Sequence, residues 1–408
     1  MSDKFQAPRG THDVLPSEHR WWHLVRTLEE LTARYGYGRI QTPGFEDTAL
    51  FQRTSGAASD VVHKEMYTFT DRSDRSVTLR PEGTAPIARA YVEHGLFKEP
   101  QPVKAYTIAP MYRYGRPGRG RYREHWQLSL EAIGSADPAI DAEVIQFYKE
   151  LLGRLDVTKW ELRLNSIGDA SCRPAYVARL NEWLDAHADV LDEEARHKRA
   201  TSPLQVFDVK NPELRAALEA APKIGESLCD ACRVHFADVR AHLDRYGVPY
   251  VLDPTLVRGL DYYTRTTFEF IGPDENVNST ICGGGRYDGL VEEIGGPPTP
   301  GIGFGAGLER LILAIENEVP PPEPPLLDVF FVVDPGNRGD VPEHLMRLRA
   351  EGFAADMDYA GRSLKGQLRH AERLARQVIV VDGGTWTLRR RGEHDRQIDP
   401  ARLLEELG

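Results

Sequence analysis

The stretch 105–134, AYTIAPMYRYGRPGRGRYREHWQLSLEAIG, decides what kind of sheet this chain builds. Two half-apolar runs flank a cluster of Gly, Pro and Arg, which predicts a strand, a turn-rich loop and a returning strand. Side chains alternate across a strand with period two, so Gln127, Ser129 and Glu131 share one face of the returning run. The loop carries Arg113, Arg116, Arg119, Arg121 and Arg123 within eleven positions, accompanied by a single acid, Glu124. Guanidinium groups stay charged at any physiological pH and offer a planar fork of donors that fits carboxylate or phosphate. A basic loop running into a strand with an aligned amide, hydroxyl and carboxylate can bind phosphates at one end and a small polar ligand at the other.

Two further stretches carry residues that an ordinary strand does not need. At 256–270, LVRGLDYYTRTTFEF places Arg258, Asp261, Tyr262 and Tyr263 at the entrance to an apolar, β-branched run. At 300–313, PGIGFGAGLERLIL alternates Gly301, Gly303, Gly305 and Gly307 with apolar residues and then turns helical, with Arg310 in the first turn. Glycine in a strand lets another backbone or a flat ligand approach closely. The spacing differs from the G-x-G-x-x-G of a dinucleotide fold.

Several motifs now occur in one order, and together they resemble those of the histidyl-tRNA synthetases among the class II aminoacyl-tRNA synthetases. The basic hairpin resembles class II motif 2, the glycine-alternating run motif 3, and YGYGRIQTPGFEDTALF at 35–51 motif 1. LVRGLDYYTRTTFEF and GGGRYDGL, at 283–290, resemble the two histidine-specific motifs. PRGTHDVLP at 8–16 and TLRPEGTAPIARAY at 78–91 resemble the family's opening and its amino-acid-binding turn.

The resemblance implies an α+β protein: a class II synthetase core on an antiparallel sheet, with a helical insertion, and a C-terminal α/β anticodon-binding domain. It implies ATP-dependent ligation of L-histidine to tRNA(His) through a histidyl-adenylate, with ATP and Mg²⁺ as the substrate complex, no prosthetic group, and a homodimer. Arg113 would hold the α-phosphate and the amino-acid carboxylate, with Arg258 opposite. Arg310 would clamp the γ-phosphate, and Arg121 and Tyr122 would complete the ATP site. Glu82, Gly83, Thr84, Gln127 and Tyr263 would receive the polar groups of histidine. Glu131 and Tyr262 would fix the imidazole, and Tyr287 would close the pocket. Arg116 and Arg119 would meet the acceptor end of the RNA. Two positions depart from the family: Gly115 stands where a glutamate usually helps read adenine, and Gly118 where many bacterial members carry a glutamine. The competing reading is a histidine-binding, non-catalytic regulatory subunit of ATP phosphoribosyltransferase.

Composition fits a multi-domain globular chain of 408 residues, with 41% hydrophobic content. There is no apolar run long enough for a bilayer, and the opening MSDKFQAPRG lacks the apolar core of a signal peptide, so a cytoplasmic protein is expected. The net charge of −11 argues against indiscriminate nucleic-acid binding, but 362–396 holds nine Lys or Arg against four Asp or Glu. Cys229-x-x-Cys232 with His235 has the spacing of half a zinc site. Cys172 and Cys282 lie in distant segments, so plain thiols in a reducing compartment, and no metal, are expected.

Domain boundaries follow from pattern changes. A catalytic domain is expected at 1–318, opening with a helix at 21–35 and carrying a charged, helical insertion at about 173–245. Strands and turns are expected to dominate 40–134, followed by a helix at 141–154. VPPPEPP at 319–325 reads as a stiff linker, and 326–408 alternates strands and helices as an α/β domain. Within it, a helix is expected at 363–376.

Overall fold

The computed structural model describes residues 4–54, 61–209, 211–273 and 280–407. The chain falls into two compact units, Met1–Pro321 and Pro322–Gly408.

The first unit is organised by an eight-stranded sheet. Its strands are β1 (Gly38–Arg39), β2 (Val103–Tyr112), β3 (Glu124–Ile133), β4 (Glu161–Ser166), β5 (Val251–Leu252), β6 (Thr264–Ile271), β7 (Thr280–Arg286) and β8 (Gly301–Gly307). Their spatial order is β1-β2-β3-β8-β7-β6-β4-β5, antiparallel throughout except for a parallel pair at each end. The stretch 105–134 forms the hairpin β2–β3, with Ala109 opposite Gln127.

One face of this sheet makes the main core. Leu128, Leu130 and Ala132 of β3 and Ile302, Phe304 and Ala306 of β8 pack with helices α1 (His19–Arg34), α3 (Pro138–Arg154) and α6 (Leu308–Glu316). Helix α1 buries Trp21, Leu24, Leu28 and Leu31, an i, i+3, i+7, i+10 stripe. Helix α3 starts where the Asp137 carboxylate accepts from the Ala139 N–H, with Pro138 at its first position.

The other face carries the alternate residues: Gln127, Ser129 and Glu131 on β3 and the four glycines on β8. Above it lies helix α2 (Thr84–Glu93), where strands and turns had been expected. Its start is local chemistry: the Glu82 carboxylate accepts from the backbone N–H groups of Thr84 (2.7 Å) and Ala85 (2.9 Å), a cap supplied by a longer acid than usual. A second small core joins Ile87, Ala88 and Tyr91 of α2 to Tyr262, Tyr263 and Tyr287.

The helical region expected at 173–245 divides by packing. Helix α4 (Arg173–Ala186) and the helices Glu193–Thr201 and Pro212–Leu218 surround their own core of Tyr176, Leu180, Leu184, Val206 and Leu214. Helix α5 (Asp230–Arg245) instead sends Val239 and Leu243 into the main core.

In the second unit, β9 (Leu327–Val333), β10 (Ala355–Met357), β11 (Ala375–Asp382), β12 (Thr385–Arg390) and β13 (Arg396–Gln397) form a sheet of order β10-β9-β11-β12-β13. Helix α7 (Val341–Ala350) covers one face through Leu345 and Leu348, and helix α8 (Leu364–Leu374) the other through Ala371. Helix α8 ends two residues earlier than its pattern suggested, because Ala375 already pairs with Leu327 in the sheet. Among the described residues no helix is long and apolar enough to cross a membrane.

Candidate functional site

A cavity of about 220 Å³ opens on the glycine-bearing face of the sheet. Glu82, Thr84, Arg113, Arg121, Tyr122, Gln127, Arg258, Tyr262, Tyr263 and Arg310 all line it, so residues from four separate stretches of sequence converge.

The floor is polar and tightly fixed. Gln127 donates to Ser129 Oγ (2.9 Å), and Thr84 Oγ1 donates to Glu131 (2.7 Å). Tyr287 donates to the other Glu131 oxygen (2.5 Å). Burial pushes the Glu131 carboxyl up to about 8, outweighing the two hydroxyls that favour its charged form. Glu131 and Tyr287 thus lie behind the cavity wall, bonded to each other, and Tyr287 does not cover the mouth.

The β8 glycines make room for these side chains. A Cβ on Gly303 would sit 1.8 Å from Glu131 Oε2, one on Gly305 2.8 Å from the Gln127 amide, and one on Gly301 2.4 Å from the Tyr287 ring. The close approach expected of this run is therefore made by the protein's own polar side chains. Gly83 has the same role beneath Ser129, whose Oγ would lie 2.2 Å from an added Cβ.

The opposite wall is cationic. Arg113 donates through Nε to the Pro81 carbonyl (2.7 Å), and Arg310 donates to the carbonyls of Thr280 (2.9 Å) and Gly120 (3.2 Å). Backbone carbonyls orient both guanidinium groups without cancelling their charge. Burial and the positive charges of Arg121 and Arg113 lower the Arg310 pKa. Burial, Arg113 and Arg310 together hold the His125 imidazole down to about 3, so it is neutral beside them. A cluster of fixed cations in a concave site attracts an anion and replaces water around it.

Other expected residues are placed differently. Arg258 reaches the cavity but pairs with Glu269, an acid from β6 that sequence reading did not single out, and its guanidinium covers Gly283. Asp261 turns away to accept from Ser202 (2.9 Å) and Gln205 (2.8 Å) of the insertion. Arg116 and Arg119 are exposed on the motif 2 loop and do not line the cavity. Two further acids also line it: Glu65, whose Oε1 is 3.7 Å from where a Gly115 side chain would begin, and Glu309. Glu309 accepts from the Trp126 N–H (2.9 Å), leaves its Oε2 buried without a partner, and is raised to about 7 by burial. The sequence reading singled out Gly115 but not Glu65, which lies far from it along the chain. Cys172, expected apart from Cys229 and Cys232, lies against them.

A family model described as histidyl-tRNA synthetase matches residues 10–311. The chain belongs to the histidyl-tRNA synthetase family. Histidine–tRNA ligases of Caldanaerobacter subterraneus subsp. tengcongensis and Moorella thermoacetica are 46% and 48% identical to it, covering 93% and 92% of this chain and 91% and 90% of their own. The apo histidyl-tRNA synthetase of S. aureus superposes with a TM-score of 0.82 at 36% identity, over 99% of this chain and all of that one. A Bacillus halodurans structure described as an ATP phosphoribosyltransferase regulatory subunit/histidyl-tRNA synthetase shares the fold, with a TM-score of 0.65 at 23% identity. The α+β histidyl-tRNA synthetase fold implied by the motifs is thus the fold of this chain.

Proposed function

We propose that this chain is a histidine–tRNA ligase, which activates L-histidine with ATP and transfers it to tRNA(His). The observation that carries this reading is the pairing of one cationic wall, Arg113, Arg121 and Arg310, with one polar floor, Glu82, Thr84 and Gln127, in a single cavity. In the first step a histidine carboxylate oxygen bonds to the α-phosphorus of ATP while the bond to pyrophosphate breaks. Two anions must meet, so fixed positive charge that needs no reorganisation supplies most of the rate. Arg113 and Arg258 flank the reacting phosphate, Arg310 holds the γ-phosphate, and Tyr122 and Arg121 bracket the nucleotide. No protein nucleophile is required, because orientation and electrostatics suffice.

On the floor, each Glu82 oxygen already accepts one backbone N–H and keeps capacity for the substrate ammonium. Tyr262, Tyr263, Gln127 and Glu131 set the shape and polarity that select histidine, since analogues leave buried polar groups unpaired. Glu309 fits Mg²⁺, which takes hard oxygen ligands and binds through one or two carboxylates plus substrate phosphates. The ion would neutralise phosphate charge at that end of the cavity. Glu65 supplies a carboxylate beside Gly115, where the family usually has its adenine-reading glutamate.

We read the second unit as the anticodon-binding domain and Arg116 and Arg119 as acceptor-end contacts. The protein works as a homodimer in the cytoplasm, with motif 1 at the interface: β1 is a sheet edge, and Phe45 and Phe69 stand exposed beside each other in that region.

Histidine-dependent exchange of pyrophosphate into ATP tests the activation step. A ligase gives exchange with histidine alone, and its absence would leave the regulatory-subunit reading in its place.

A further inference from the structure

Outside the cavity, the insertion and the core meet at a cluster the reaction does not use. Asp169 follows β4, Cys172 immediately precedes α4, and Cys229 and Cys232 sit before and in the first turn of α5. The Cys172 and Cys232 sulfurs are 4.0 Å apart, Asp169 Oδ1 is 3.6 Å from Cys172 Sγ and 3.9 Å from Cys229 Sγ, and all four ligand atoms lie within 4.8 Å of one another. A tetrahedral zinc with Zn–S bonds of about 2.3 Å sets its sulfurs about 3.8 Å apart, so small side-chain rotations convert the cluster into a coordination shell. All four cysteines of the chain are free, and Cys282 lies in the main core away from the other three.

We propose that Asp169, Cys172, Cys229 and Cys232 form a structural site for a thiophilic divalent cation, zinc in the first instance. The donor set is soft and closed: four protein ligands leave no open position for catalysis. Two helices begin at the cluster, α4 just after Cys172 and α5 just after Cys229, and Arg265 pairs with the second Asp169 oxygen (3.3 Å), which holds that carboxylate in place. Binding displaces the thiol protons to solvent. His235, which the sequence spacing suggested as a ligand, faces Asp141 instead (3.6 Å).

The site would join the start of α4 to the start of α5. Arg173, the residue after Cys172, donates to the carbonyls of Ile167 and Tyr263, so the ion would brace the backbone that carries a wall of the histidine pocket. This goes beyond the ligase assignment and does not depend on it.

The test is metal content of the untagged full-length protein, purified without chelator. About one zinc per chain is expected, with loss of most of it in Cys172→Ser and Cys229→Ser and retention in Cys282→Ser. Cobalt substitution should give the intense visible bands of a tetrahedral thiolate site, and chelation should lower Tm, with recovery on adding zinc. Chelated and restored wild-type protein keeps the test decisive if the serine variants do not fold. A protein free of metal that takes up no zinc at micromolar concentration would overturn the proposal. So would zinc retained equally by Cys172→Ser and Cys229→Ser, or a native disulfide between two of these cysteines.

Discussion

Arg258 and Glu131 show how much a single side chain can decide. Arg258 is aimed across Gly283 at the cavity and held by Glu269. Replacing it by histidine should slow single-turnover adenylate formation by roughly two to three orders of magnitude while changing histidine affinity far less. A rate within about threefold of the parent would remove Arg258 from the chemistry. Glu131 makes a pH prediction. Its folded-state pKa of about 8 lies above the ordinary carboxylate value. Between the two values the folded state binds the extra proton, so its stabilising effect is present at low pH and is lost as pH rises towards 8. Glu131→Gln should therefore flatten the decline in denaturation midpoint from pH 5 to pH 8, and an unchanged slope would contradict the assignment. Gln127, Ser129 and Glu131 were legible on one strand face from their period, whereas the Glu82 cap on Thr84 was not, because strands and turns were expected there. Glu269 opposite Arg258 and Ser202 and Gln205 on Asp261 were not, because only long-range packing brings them together.

At the scale of elements, strands and long helices were readable from their periodicity, and the short α2 was not. Thr84, Ala85, Pro86, Ile87, Ala88, Ala90 and Tyr91 are all buried, so no apolar stripe stands out against a polar face, and the stability of α2 comes from the Glu82 cap and tertiary burial. The second histidine-specific motif shows a different economy. Arg286 on β7 is wholly buried and bonded to Asp141 of α3 (2.8 Å) and to Asp288 (2.9 Å), so it ties a helix to the sheet. Arg286→Ala would strand two carboxylates and should lower unfolding stability by about 3–5 kcal/mol, readable by urea denaturation. Helix α8 narrows the basic segment. Arg362, Arg389, Arg390 and Arg396 are all paired with acids, whereas Lys365, Arg369 and Arg373 are exposed at i, i+4, i+8 spacing on one face. Changing these three to alanine should weaken tRNA binding and make its salt dependence shallower by about one unit of slope per lost phosphate contact, without affecting histidine activation. An unchanged slope would take RNA binding away from this face.

The whole molecule raises the question of assembly. Sedimentation at micromolar concentration should give twice the mass of the 45.9 kDa chain, and Phe45→Asp with Phe69→Asp should shift it towards monomer. A fully active monomeric wild type would refute the dimer. The two units, Met1–Pro321 and Pro322–Gly408, each carry their own core, which is why the proline-rich stretch between them reads so plainly in the sequence.

The eight-stranded sheet has a consequence for the accuracy of protein synthesis. Strand β3 turns Leu128, Leu130 and Ala132 to the core and Gln127, Ser129 and Glu131 to the ligand side. A slip of one residue would bury the amide and the carboxylate in the apolar layer and put leucine on the cavity side. Misfolding of this strand therefore removes stability and activity together. A damaged copy is then silent and open to proteolysis, and the cell is spared an enzyme that still works but attaches the wrong amino acid.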